Sequence, residues 1–167
     1  MKQSLTKLHS GQQGFTLLEV LVAVVVLSIG LLGLAGLQAS GLAQNNTAYQ
    51  RTQATLLAYD MLDRMRANYE GVRLGYYNNF TAGTQNDPGC ITSGCSVQQI
   101  ANYDNYSWGV RLGNTLPTGK GKISGAGLNS NFTITVMWDQ DRTGATGTNC
   151  SGNTQTDLTC IEISSRI

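Results

Sequence analysis

The chain has 167 residues, a formal net charge of +1, 13% charged residues and four cysteines. That length holds one modest globular domain plus an N-terminal element, and the charge excludes the electrostatic footprint of a nucleic-acid binder. From Gln38 onward nine Lys/Arg face nine Asp/Glu, so nothing in this part draws an acidic substrate or an anionic membrane surface.

Residues 1–14 form a short polar leader carrying Lys2, Lys7 and His9. A secretory signal peptide places its apolar core before the cleavage site, and this leader does not. The apolar run starts at Phe15 and reaches Leu37, interrupted by Thr16, Glu19 and Ser28. As a helix, residues 15–37 span roughly 34 Å, enough to cross a bilayer core. The basic leader places the N-terminus in the cytoplasm and the rest of the chain on the far side. Glu19 stands out within this run. On an insertion scale an acid at the centre of a membrane helix costs about 3 kcal/mol, so it marks a functional site with a partner. Gly30, Gly33 and Gly36 punctuate the second half of the run. They either allow close helix–helix approach or make a stretch that bends readily.

Residues 38–70 continue as an amphipathic helix, with no proline between Phe15 and Glu70 to break it. Ala54, Leu57, Ala58, Met61, Leu62 and Met65 make a dense apolar stripe, and Leu42, Tyr49 and Leu56 a sparser one at seven-residue spacing. Asp60–Arg64 and Asp63–Arg66 stand at pairing distance; the four suit either a docking patch for a partner or a solvated face with weak surface pairs, with the solvated face preferred. Gly71 is placed as a C-cap.

Residues 71–167 read as a loop-rich antiparallel β-sheet domain. Stretch 72–105 is rich in Asn, Gly, Thr and Tyr, with a turn at Asp87-Pro88-Gly89, and reads as a long loop. Strands are expected at Ser107–Leu112, Lys120–Ser124, Asn131–Trp138 and Leu158–Ser164. Cys90, Cys95, Cys150 and Cys160 point to two disulfides in an oxidising compartment. Three connectivities are possible. The local pairs Cys90–Cys95 and Cys150–Cys160 are preferred because each closes a short loop. Rivals are a zinc site, disfavoured by the lack of C-x-x-C, and four free thiols. Asp139 and Asp141, followed by Thr143 and Gly144, suit either an oxygen-ligand calcium loop or a solvated turn, with the turn preferred. The only histidine is His9, and the serines have no evident base, so no catalytic residue, metal site or cofactor is expected.

A basic leader, the run Gly14-Phe15-Thr16-Leu17-Leu18-Glu19, an apolar helix, an amphipathic helix and a cysteine-bearing β-domain together resemble the type IV pilins and their secretion-system relatives. The resemblance implies an α+β pilin fold and no enzymatic activity. It implies cleavage after Gly14 by a prepilin peptidase, N-methylation of Phe15, and assembly through Glu19. The new Phe15 amine is cationic near neutral pH, so it can pair with Glu19 of another subunit and offset the desolvation of both charges. Residues 29–38 and 48–68, and Val136-Met137-Trp138-Asp139, are similar to PilV-type minor pilins. Major pilins usually have a proline in the apolar helix where Gly36 stands here. The implied partners are the prepilin peptidase, other minor and major pilins, the inner membrane and a tip adhesin. The implied location is the inner membrane, with a periplasmic domain, and then a surface pilus. The rivals are a type II secretion pseudopilin and a membrane-anchored binding module that never polymerises.

Overall fold

One uninterrupted helix, α1, runs from Leu17 to Ala67, as the proline-free sequence predicts. The computed structural model describes residues 14–127 and 129–167. The predicted leader before Gly14 lies outside them. By contacts the chain divides into a unit ending at Gln44 and a unit from Asn45 to Ile167.

In the first unit, residues 14–40 are all exposed. The apolar part of α1 is long and apolar enough to cross a membrane.

The second unit is built on the distal part of α1. Its dense stripe is buried: Ala54, Leu57, Ala58, Met61, Leu62 and Met65 enter one core. The sparser stripe does not enter it, and Leu42, Tyr49 and Leu56 remain exposed. The short helix α2 (Tyr69–Arg73) follows. Gly71 lies inside α2 and is buried, so it is not the expected C-cap. Asn68 punctuates the chain instead, accepting a hydrogen bond from the Gly71 N–H at its side chain. A single turn, α3 (Cys90–Ser93), precedes the helix α4 (Val97–Thr115).

Helix α4 corrects two expectations, the long loop over 72–105 and the strand over 107–112. Ser96 and Gln99 form a capping box, in which the Ser96 hydroxyl takes the Gln99 N–H and the Gln99 side chain takes the Ser96 N–H. Ala101, Asn105, Trp108 and Leu112 then recur at helical spacing and are buried, whereas Val110 is 45% exposed. The alternation of Trp108, Val110 and Leu112 is therefore incidental. The Trp108 indole N–H donates to the Leu57 carbonyl at 3.0 Å, pinning α4 to α1 inside the core.

Three antiparallel strands complete the unit in the order β1 (Lys120–Ser124), β2 (Asn131–Trp138), β3 (Thr159–Arg166). The first two have the predicted bounds; the third is displaced one to two residues toward the C-terminus. Ile123, Phe132, Ile134, Val136 and Trp138 face the helices in the same core. Gly121 admits Trp108, since a Cβ there would lie 2.5 Å from the indole ring. The chain is thus an α+β protein, a long N-terminal helix whose distal half packs on a small antiparallel sheet.

Candidate functional site

The N-terminal motif occupies the start of α1. Gly14, Phe15 and Thr16 precede the helix and are exposed, Phe15 at 83%. Thr16 acts as the N-cap, with its hydroxyl accepting the Glu19 N–H at 3.3 Å. Glu19 therefore stands in the first helical turn, where the helix dipole favours a negative charge. Phe15 and Glu19 are four residues apart and border one apolar surface with Ala23 and Leu27. The Gly14–Phe15 peptide bond thus lies open just ahead of the helix, and one turn beyond it stands a carboxylate.

Gly30, Gly33 and Gly36 lie within continuous helix. A Cβ at any of them would meet nothing within 4 Å, and the same holds at Gly41. Packing within the chain therefore does not demand glycine at these positions.

The four cysteines form two disulfides, Cys90–Cys95 and Cys150–Cys160. The second fastens the loop after β2 to β3. Inside that loop Asp139 spends both carboxylate oxygens, accepting from the N–H groups of Thr143 (3.0 Å) and Gly144 (2.8 Å). Asp141 is exposed. This is the geometry of a closed turn.

Helix pairing at Asp60 and Arg64 is richer than the sequence reading allowed. Arg64 donates to Asp60 at 2.9 Å and to Asp104 of α4 at 3.0 Å. Arg111 also reaches Asp60, at 2.8 Å. Asp104 is only 5% exposed; its second oxygen accepts the Tyr77 hydroxyl at 2.5 Å, and the Asn68 amide donates to that hydroxyl at 3.0 Å. Burial, then the bond to Asp104, pushes the Tyr77 hydroxyl well above its usual range. For Arg64, burial opposes the charge, but the hydrogen bonds to Asp104 and Asp60 outweigh it and hold its pKa up. Asp104 and Tyr77 were missed at the sequence level. The available signal was an acid at helical spacing from both Ala101 and Trp108, on the buried face of α4, which becomes legible only once that helix is recognised. By contrast, Asp63–Arg66 is an exposed pair, as expected. Among the described residues no group of three or more His, Cys, Asp or Glu is placed to hold a metal.

A helix that is apolar and exposed in its first half, sheet-packed in its second, and entered through Gly-Phe with an acid in its first turn is the arrangement of the pilin fold. The model of the prokaryotic N-terminal methylation motif matches residues 9–35, and that of type IV pilin Tt1218 matches residues 36–106. The two matches run without a gap over residues 9–106 and support a type IV pilin. Searches of curated proteins and of solved structures gave no match. The family is structural rather than catalytic. Its motif implies processing by prepilin peptidase and association with other pilins, and with the apolar helix it fits a membrane-anchored subunit.

Proposed function

We propose that the chain is a minor pilin of a bacterial type IV pilus, of the PilV type, which primes assembly or joins the tip complex. In this reading residues 1–14 are the cytoplasmic leader. Residues 15–37 hold the protein in the inner membrane and later in the fibre, residues 38–70 are the amphipathic helix, and 71–167 the periplasmic domain. Prepilin peptidase cuts after Gly14 and methylates Phe15.

The observation that carries the reading is the placement of Glu19 in the first turn of an exposed apolar helix. Cleavage creates an ammonium at Phe15, four residues before an acid with no cationic partner among the described residues. Within one helix the two sit at the same end. Between staggered helices, the amine of one subunit can meet the acid of another and fix the register. The similarity of 29–38 and 48–68 to PilV-type helices, and Gly36 in place of a proline, support a minor rather than a bulk subunit. A tip adhesin is the surface partner this position would serve.

Glu19→Ala is expected to be cleaved and methylated normally yet to be lost from sheared fibres. Gel mobility of the processed chain and its quantity in the sheared fraction check this; normal incorporation of the variant would remove the proposed role of Glu19.

A further inference from the structure

The two edges of the sheet are treated differently. Along β1 the Gly121 carbonyl accepts the Ala82 N–H, and the Ile123 N–H donates to the Phe80 carbonyl, both at 2.8 Å. Segment 80–82 therefore covers that edge, with Thr81 bridged to Lys122.

These bonds also fix which way every strand group points. Main-chain groups alternate sides along an antiparallel strand. Gly121 and Ile123 point outward, so Lys120, Lys122 and Ser124 bond to Met137, Thr135 and Thr133 of β2. Phe132, Ile134, Val136 and Trp138 then turn to β3 and bond to Ser165, Ile163, Ile161 and Thr159. The N–H and C=O groups of Cys160, Glu162 and Ser164 consequently point away from the sheet. Among the described residues no main-chain hydrogen bond reaches them.

An open edge is a template for pairing, and native proteins blunt it by shortening, bulging, charged side chains or proline; β3 carries only the exposed Glu162 and Arg166 of these devices. Here β3 has eight residues, no proline or glycine, and an unbroken register from Asn131↔Arg166 to Trp138↔Thr159. Ile161 and Ile163 are packed against the core yet only partly buried, leaving an apolar rim along the same edge.

We propose that the open edge of β3 receives an extended segment of another pilus protein, which adds a fourth strand to the sheet. The inference rests on association with other pilins and names the surface and mode of that contact. The occupant's main chain pairs with Cys160, Glu162 and Ser164, as in strand addition to other sheet edges. Its alternate residues are apolar and cover Ile161 and Ile163. A second copy of β3 is disfavoured, because a two-fold pairing closes a dimer and leaves no edge for the next subunit of a polar fibre.

The test uses the full chain in cells that make the pilus. Ser164→Pro removes one outward N–H and leaves the β2–β3 ladder whole, since edge strands accept proline on their solvent side. Ser164→Ala removes only the hydroxyl that meets Thr133. Recovery in sheared fibres and in cross-linked heteromeric membrane complexes should fall about tenfold or more for S164P and stay within about twofold of wild type for S164A. Urea midpoints check folding. Where S164P fails to fold, amide exchange of the wild-type chain decides. Glu162 and Ser164 should exchange fast in detergent-purified chain and about a hundredfold slower in the assembled fraction, with Ile161 and Ile163 slow in both. S164P assembling like wild type overturns the proposal, as does unchanged exchange at Glu162 and Ser164. Protection already present in the purified chain as a dimer overturns it in favour of self-pairing. Protection in membrane complexes with the chain absent from fibres would contradict the fibre role alone and support the edge.

Discussion

Asp104 joins three parts of the second unit through one carboxylate. It accepts from Arg64 of α1 and from Tyr77 before α3, and sits on α4 itself. A buried charge is tolerated only where its hydrogen bonds are met, and Asp104 has a partner on each oxygen. The consequence for pH lies with Tyr77. Its folded pKa is raised above the ordinary 10.0, so the folded state holds the proton more tightly than the unfolded chain. The stability this contributes is complete below pH 10 and is lost as pH rises above it. The urea midpoint is therefore expected to hold to about pH 10 and then fall. Tyr77→Phe should lower the midpoint at pH 8 by about 1–2 kcal/mol of stability but flatten the alkaline fall. Urea titrations of both proteins from pH 8 to pH 11 check this; parallel slopes would show that Tyr77 does not set the alkaline limit.

Helix α4 is the element on which sequence and structure part. Its composition is rich in Asn, Tyr and Gly, which favour turns and strands over helix, and three alternating apolar residues imitate a strand. What decides the matter is local and polar: the Ser96–Gln99 capping box supplies a start, and Ala101, Asn105, Trp108 and Leu112 supply a buried face. Ser96→Ala is expected to cost about 1 kcal/mol, visible as a lower urea midpoint and as faster exchange in the first turn of α4 with the sheet unaffected. By contrast β2 was legible because one alternation governs its whole length, and α1 because an unbroken apolar run passes, with no proline, into a stripe at helical spacing. The seven-residue series Leu42, Tyr49, Leu56 obeyed a period as well but stayed exposed, since periodicity reports an apolar face and not what covers it. The N-terminal motif was legible for another reason. Its chemistry lies in contiguous residues, Gly14 to Glu19, whereas Asp104, Tyr77 and Arg64 meet only through folding.

At the scale of the whole molecule, α1 runs through two environments. Up to Leu37 it is exposed and apolar; from Gln50 on it is the spine of a core shared with α4 and the sheet. Such an apolar surface belongs in lipid or against other helices, and the type IV pilin family provides both settings. The disulfides lie wholly in the second unit, Cys90–Cys95 just ahead of α4 and Cys150–Cys160 beside β3, each closing a short loop in a domain with a small core. Their presence agrees with a domain exposed to an oxidising compartment. In the proposed function, cutting after Gly14 turns a membrane-anchored precursor into a fibre subunit. Mass spectrometry of the N-terminus in a sheared pilus fraction tests it most directly. A chain beginning at N-methylated Phe15 is expected in that fraction. A chain still beginning at Met1, or a processed chain confined to membranes and absent from fibres, would contradict it.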